Sequence, residues 1–335
     1  MPASRLTDRS PVVAPETLVQ ALAPPPRFAQ ARFETYLPDP AEPSQAAAMQ
    51  VLRDFAATLA PAPRRLLGRS RAPTGRPGVY LDGGFGVGKT HLLTSLWHAA
   101  PEPKAYGTFV ELTHLVGALG FGGTVTALGE HRLLAIDEFE LDDPGDTVLV
   151  STLLARLVES GVRVAATSNT LPGSLGEGRF ATSDFLREIA SLSAHFTSIR
   201  VDGEDYRHRG LPPAPPPLDD VVVKRRTGEV GGATCDDFAD LLAHLSQLHP
   251  SRYGALVDGV PLVGLVGVQP VDDQAAALRL VVLVDRLYDR DVPVLASGVP
   301  LDELFPAELL AGGYRKKYLR AVSRLTALAR DASAR

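Results

Sequence analysis

A glycine-rich segment, Gly83–Thr90, has the residue types and spacing of a phosphate-binding loop, Gly-x-x-x-x-Gly-Lys-Thr. Glycines let the backbone curl so that several N–H groups point at one phosphate, and a following helix N-terminus adds partial positive charge. Lys89 would reach the β- and γ-phosphates, and Thr90 would supply a hydroxyl group to Mg²⁺. The expected nucleotide contacts are Gly83, Gly84, Phe85, Gly86, Val87, Gly88, Lys89, Thr90 and His91.

An acidic pair follows an apolar run further along the chain. Leu133–Ile136 has the length and composition of a buried strand, and Asp137 and Glu138 come directly after it. A carboxylate at the end of such a strand would lie next to a phosphate-binding loop in an open α/β sheet. We expect Asp137 to hold Mg²⁺ and Glu138 to orient and deprotonate the attacking water.

A third polar group follows another buried strand, Val162–Thr167. Asn169 comes two residues after that strand, where it would sense the γ-phosphate and position the water. Asparagine is also common in turns, which is the alternative explanation for it. The three groups together indicate hydrolysis of a nucleoside triphosphate, with ATP and Mg²⁺ as the expected ligands.

The elements that position these groups follow from hydrophobic periodicity. Short apolar runs alternate with segments of helical spacing, which predicts an α/β fold with a parallel sheet and helices on both faces. A strand at Val79–Leu81 precedes the glycine loop and a helix at Thr90–Leu96 follows it. A further strand is expected near Thr108–Val110, before a helix at Glu111–Leu119. We expect a P-loop NTPase core of AAA type.

Composition predicts four regions in the chain. They are a flexible arm at 1–27, the ATPase core at 28–210, a proline-rich linker at 211–218 and a smaller α/β subdomain at 219–335. Within the last region, Val221–Arg225 and Glu229–Ala233 are expected to form a hairpin.

Bulk properties exclude several classes of protein. The 335 residues are 45% hydrophobic and 22% charged, which is typical of a packed globular chain. The net charge of −5 weighs against a nucleic-acid-binding surface, and the single cysteine, Cys235, allows no internal disulfide. No signal peptide or membrane-spanning run is evident, so we expect a cytoplasmic protein.

The order of the three motifs resembles that of AAA-type ATPases. Such enzymes usually form rings in which an arginine from a neighbouring subunit completes the site and stabilises charge on the transferred phosphoryl group. Arg179 and Arg187 follow the third motif, and either one fits this role. A homo-oligomeric ring is therefore expected.

More specific segments resemble the ZapE family of bacterial cell-division ATPases, which is related to a mitochondrial AAA-type family. They are Asp137–Asp143 with Asp146, Ala166–Asn169 with Pro172 and Leu175, Asp205–Arg207, Ser251–Tyr253, Leu283–Tyr288 and Ser323–Leu325. The resemblance covers the chain from about residue 28 onward. It implies an ATPase that associates with the division machinery at the inner face of the plasma membrane. Glu140 departs from the family's usual glutamine, and one extra residue stands between Gly178 and Phe185.

Two further residues could contact the nucleotide, and three other functions are compatible with the sequence. Gln45, before the first core helix, could read the adenine edge, and Arg324, on the last helix, could act as a second sensor of the γ-phosphate. The leading function is ATP-driven remodelling of a protein partner. The alternatives are a nucleic-acid motor or loader, a nucleotide-binding scaffold that hydrolyses poorly, and a small-molecule kinase.

Overall fold

The computed structural model describes residues 4–12, 15–60, 75–84, 86–141, 144–175, 182–203 and 214–334. The chain divides into two compact units. The P-loop unit comprises Pro15–Pro24 and Phe28–Tyr206, and the second unit comprises Met1–Ala14, Pro25–Arg27 and Arg207–Arg335. None of the described helices is both long and apolar enough to cross a membrane.

The P-loop unit is built on a five-stranded parallel sheet of order β2-β3-β4-β1-β5. Its strands are β1 (Gly78–Gly83), β2 (Lys104–Thr108), β3 (Leu133–Asp137), β4 (Arg163–Ser168) and β5 (Phe196–Val201). Its helices are α1 (Pro15–Gln20), α2 (Pro43–Leu59), α3 (Lys89–Ala99), α4 (Phe109–Leu128), α5 (Pro144–Glu159) and α6 (Leu186–Ala194). The predicted parallel sheet is confirmed.

Helices cover both faces of this sheet, and the alternation of side chains along β3 decides which face each residue meets. Leu133 and Ala135 pack with side chains of α2 and α3. Leu134 and Ile136 pack with side chains of α4 and α5 on the opposite face. Asp137 continues the first set, so its carboxylate faces α3, the helix that follows the glycine loop.

The strand expected near residues 108–110 is wrong in its position, because the chain already turns into a helix there. Thr108 caps α4: its side chain accepts a hydrogen bond from the Glu111 N–H, and the Glu111 carboxylate accepts one from the Thr108 N–H. This capping box satisfies N–H groups that a helix start leaves without intrahelical partners. The strand β2 therefore ends at Thr108.

The second unit contains a three-stranded parallel sheet of order β6-β7-β8. Its strands are β6 (Thr234–Asp237), β7 (Val263–Val268) and β8 (Val294–Gly298). Its helices are α7 (Asp220–Gly228), α8 (Phe238–Gln247), α9 (Tyr253–Leu256), α10 (Gln274–Asp289), α11 (Ala307–Leu310) and α12 (Arg315–Ala334). The end of the proline-rich linker lies alongside β8, since the Leu218 N–H donates to the Ala296 carbonyl at 2.9 Å.

The hairpin expected at residues 221–233 is wrong, because Asp220–Gly228 forms the helix α7. The β-branched run Val221–Val223 favours a strand locally. Packing overrides it: Val223 and Thr227, one helical turn apart, are both buried, and they lie over Gly264 of β7. A Cβ atom at Gly264 would stand 2.7 Å from the Thr227 side chain, so the absence of a side chain there lets α7 lie close to the sheet.

The N-terminal residues 4–12, which composition assigns to a flexible arm, pack into the second unit. Leu6 is fully buried among Phe238, Leu241 and other core side chains. The N–H groups of Leu6 and Thr7 donate to the Asp236 carboxylate at 2.9 and 3.0 Å. The arm therefore contributes both an apolar side chain and hydrogen bonds to this core.

Leu6→Ala is expected to lower the free energy of unfolding of the second unit by about 2–5 kcal/mol, because it leaves a cavity in a closed core. Hydrogen exchange along β6 and α8, with chemical denaturation, measures the change. Val12→Ala is the control, since Val12 is 86% exposed. Equal protection of both variants would show that the arm does not contribute to this core.

Candidate active site

The glycine loop connects the end of β1 to the start of α3, and two of its glycines are required by space. A Cβ atom at Gly83 would stand 2.1 Å from the carbonyl oxygen of Val201 on β5. Gly88 has a φ of 89°, in the left-handed region, and a Cβ atom there would stand 2.5 Å from the ring of Tyr36. The structure therefore explains why glycine occupies both positions. Phe85 lies outside the described residues.

Lys89 and Asn169 are brought together by the sheet. The Lys89 ammonium group donates to the carbonyl oxygens of Gly83, at 3.0 Å, and Gly84, and to the Oδ1 atom of Asn169 at 2.9 Å. The Lys89 side chain is largely buried. Lys89, expected to bind the phosphates, and Asn169, expected to sense the γ-phosphate, thus lie next to each other at the edge of the sheet.

The carboxylate of Asp137 is surrounded by three hydroxyl donors. Thr90 donates to Oδ1 at 3.3 Å, Thr167 also donates to Oδ1, and Tyr106 donates to Oδ2 at 2.9 Å. Sequence reasoning identified Thr90 and Asp137 but assigned no role to Tyr106 or Thr167. Their contacts join residues 30 or more positions apart, so no local pattern signals them.

Burial raises the pKa of Asp137, and the neighbouring charge of Glu138 raises it further. The hydrogen bonds from Thr167, Tyr106 and Thr90 act in the opposite direction, because they stabilise the ionised form. A buried carboxylate beside a second acidic group and a threonine hydroxyl presents the oxygen ligands that Mg²⁺ prefers. These residues fit a divalent cation.

The turn after β3 holds Glu138 in an uncommon backbone conformation, with a φ of 54°. Thr167 stabilises this turn twice: its Oγ1 atom accepts from the Glu138 N–H at 3.1 Å, and its carbonyl oxygen accepts from the Phe139 N–H at 2.7 Å. Phe139 is fully buried and makes edge-on ring contacts with Phe109 and Tyr80. The turn is thus fixed on both sides of Glu138.

Residues in the segment before α2 contact the glycine loop and His91 of α3. No motif in the sequence indicates these contacts. The Tyr36 hydroxyl donates to the carbonyl oxygen of Val87 at 3.1 Å, and its ring lies 5.5 Å from that of His91. The Nε2 atom of His91 lies 3.1 Å from the Thr35 hydroxyl and 3.0 Å from the Arg32 carbonyl. The side chain of His91 therefore contacts this segment, and its role in nucleotide binding stays a prediction.

Gln45 lies in the first turn of α2 and not, as the sequence predicted, before the helix, and its adenine contact stays a prediction. Its side-chain oxygen accepts from the Asp39 N–H at 2.9 Å, and its side-chain nitrogen donates to the Asp202 carbonyl at 2.8 Å. The residue is buried. Both ends of the amide thus connect α2 to its surroundings, and reading an adenine edge would compete with these bonds.

The arginines expected to act near the γ-phosphate have different environments. Arg187 is exposed near the start of α6, and Arg179 lies outside the described residues, as do Asp205–Arg207. Arg324 forms an ion pair with Asp285 within the second unit and stacks over the ring of Tyr288 at 5.0 Å. Its proposed role as a second sensor would require it to leave this ion pair.

The fold and the site together define a P-loop ATPase of AAA type. The sheet order β2-β3-β4-β1-β5 places the glycine loop, the acidic pair and Asn169 at one edge. The sequence model of the AFG1-like ATPase family matches residues 12–225 and 213–335. The chain therefore belongs to the AFG1-like ATPase family, and it is an ATPase that binds ATP.

Similar proteins agree with this family and with the resemblance to ZapE. The cell division protein ZapE of Escherichia coli strain K12 is 25% identical over 370 residues, covering 92% of this chain and 96% of that protein. An uncharacterised protein of Schizosaccharomyces pombe is 23% identical over 313 residues, covering 72% of this chain and 67% of that protein. The structure of AMPPCP-bound DnaA from Aquifex aeolicus is 14% identical over 61% of this chain and 56% of DnaA, with a TM-score of 0.38, a similarity too low to bear on function.

Tyr36→Phe is expected to weaken binding of a non-hydrolysable ATP analogue about five-fold, because the hydrogen bond that holds Val87 contributes ~1 kcal/mol. Burial raises the pKa of Tyr36 to about 12. The hydroxyl thus stays protonated, and the difference between variant and parent should be constant from about pH 6 to about pH 9. Fluorescence titration with a labelled analogue measures it.

Tyr253→Phe is the matched control for this change. Tyr253 is fully buried in the second unit and its hydroxyl also donates to a backbone carbonyl, that of Leu245, at 2.6 Å. Equal analogue affinity for Tyr36→Phe and the parent protein would show that the hydroxyl does not support the loop.

Proposed function

We propose that this chain uses Mg²⁺-dependent ATP hydrolysis to remodel a protein partner in cell division. Membership of the AFG1-like ATPase family supports the chemistry, and the similarity to a protein named for cell division supports the process. The proposed location is the cytoplasm, with peripheral association at the inner face of the plasma membrane. The proposed assembly is a homo-oligomeric ring.

The observation that carries the proposal is the convergence of Lys89, Asn169 and the acidic pair at one edge of the sheet. Lys89 is assigned to the β- and γ-phosphates, and Asn169, bonded to it at 2.9 Å, to the γ-phosphate. Thr90 and Asp137 would hold Mg²⁺, which supplies positive charge to the phosphates when bound. Glu138 is assigned to accept a proton from the attacking water while the terminal phosphoryl group leaves ADP.

Glu138→Gln is expected to lower kcat for ATP hydrolysis by about 10²–10⁴-fold, because glutamine cannot accept the proton. Binding of ATP should be retained, since Glu138 acts on the water and not on the nucleotide. Phosphate release and fluorescence titration measure the two quantities separately. Hydrolysis at the parental rate would exclude Glu138 as the base.

The same variant tests the remodelling step. Held in ATP, Glu138→Gln should retain a protein partner that the double variant Lys89→Ala/Glu138→Gln releases, because only the first binds nucleotide. A second experiment repeats the retention assay after nuclease treatment and measures binding of single-stranded DNA at increasing salt. Retention that depends on nucleic acid would favour a nucleic-acid motor or loader instead.

The ring hypothesis predicts that a neighbouring subunit supplies an arginine. Arg187→Ala should lower kcat by about 10³-fold if this residue stabilises the transferring phosphoryl group. Mixing Arg187→Ala with the inactive Lys89→Ala protein should then restore activity, because a mixed interface combines an intact lysine with an intact arginine. Phosphate release measures turnover, and light scattering measures assembly.

Arg156→Ala is the control for the charge, since Arg156 is an exposed helix arginine that pairs with Glu159 at 3.2 Å. Unchanged turnover of Arg187→Ala in assembled protein would exclude this residue. Arg179→Ala would then be tested in the same mixing experiment. Restored activity would assign the role to Arg179, and no restoration would indicate a site contained within one subunit.

A further inference from the structure

The two strands that flank β3 each place a hydroxyl group on the carboxylate of Asp137. Tyr106 lies on β2 and donates to Oδ2 at 2.9 Å, and Thr167 lies on β4 and donates to Oδ1. Both donors are at most 2% exposed. We call this pair of residues the hydroxyl clamp. It contacts both oxygens of one carboxylate from opposite sides.

Strand register explains why the three groups meet. Thr108 pairs with Asp137 across β2 and β3, and Tyr106 lies two residues before Thr108, so its side chain emerges on the same face. Ile136 pairs with Ala166 across β3 and β4, which places Thr167 beside Asp137. The clamp therefore lies on the face that packs against α3, where Thr90 also donates to Asp137.

Tyr106 is bonded differently from three other buried tyrosines in the described part of the chain. The hydroxyls of Tyr36, Tyr80 and Tyr253 donate to the backbone carbonyls of Val87, Thr170 and Leu245. A buried hydroxyl needs only one such acceptor to be satisfied. Tyr106 donates instead to a side-chain carboxyl group. Such a bond is stronger and holds its partner in a narrower geometry when the carboxyl group is ionised.

Thr167 connects the two acidic residues. Its hydroxyl donates to Asp137 and accepts from the Glu138 N–H at 3.1 Å, and its carbonyl accepts from the Phe139 N–H. One residue thus contacts both the carboxylate assigned to the cation and the backbone of the residue assigned to the water. The left-handed φ of 54° at Glu138 is held by these bonds.

We propose that the hydroxyl clamp positions the acidic pair: Tyr106 orients the Asp137 carboxylate toward Mg²⁺, and Thr167 orients both Asp137 and Glu138. The inference rests on the proposed function in that it takes Asp137 as a group that holds Mg²⁺. Neither residue is assigned a contact with nucleotide. Both act through the carboxylates, as partners that orient metal ligands do in other proteins.

Tyr106→Phe removes one hydroxyl and keeps the ring. The half-saturating Mg²⁺ concentration for binding AMPPNP should rise about 10-fold, because the carboxylate loses one of the two clamp hydroxyls that orient it. Binding of AMPPNP in EDTA and kcat at saturating Mg²⁺ should not change. Tyr253→Phe serves as the control, since it removes an equally buried hydroxyl that bonds to a carbonyl in the second unit.

Thr167→Val should raise the half-saturating Mg²⁺ concentration and also lower kcat at saturating Mg²⁺, because the Glu138 turn loses its acceptor. Thr167→Ser keeps the hydroxyl and should restore both quantities. A loss of packing alone would not be reversed by serine, which lacks the methyl group.

Three results overturn the inference: unchanged Mg²⁺ dependence in Tyr106→Phe, tighter Mg²⁺ binding in that variant, or failure of Thr167→Ser to restore what Thr167→Val loses. Failure of the proposed function is a separate outcome, seen in the parent protein. It would appear as equal affinity for AMPPNP in Mg²⁺ and in EDTA, together with no Mg²⁺-dependent phosphate release.

Discussion

The parallel pairing of β3 with β2 on one side and β4 on the other is the constraint on which the site depends. Parallel strands end at the same edge of the sheet, so the residues that follow them meet there although they are distant in sequence. Asp82 pairs with Ser168 across β1 and β4, which places the loop that begins at Gly83 beside Asn169. Lys89 can bond to Asn169 only because these two strands are neighbours.

The electrostatics of the site result from the two acidic residues at this edge of the sheet. Asp137 is buried next to Glu138, and burial and repulsion both oppose its ionised form. Three hydroxyl hydrogen bonds counteract this effect, and a divalent cation bound there would do the same. The residues that stabilise the charge also fix the direction of the carboxylate, so the same bonds orient it for a cation and stabilise its ionised form.

In the second unit, residues of two sequence motifs bind to each other. Two of the segments that resemble the ZapE family, Leu283–Tyr288 and Ser323–Leu325, contact one another through the ion pair of Asp285 with Arg324. Arg320 pairs with the same carboxylate at 2.8 Å, and all three side chains are largely buried. A buried carboxylate with two guanidinium partners is costly to break from one side. The two segments thus hold each other in place within the unit.

Local patterns in the sequence determined the glycine loop, the acidic pair, Asn169 and the alternation of strands and helices, because each depends on spacing within one element. Tertiary structure decided what no local pattern contains. Tyr36 and Tyr106 reach the site from distant segments, and α7 forms where β-branched residues favour a strand, because Gly264 leaves room for Val223 and Thr227. The position of Asp137 between two hydroxyls arises from strand order, which hydrogen bonding between strands selects and residue spacing does not encode.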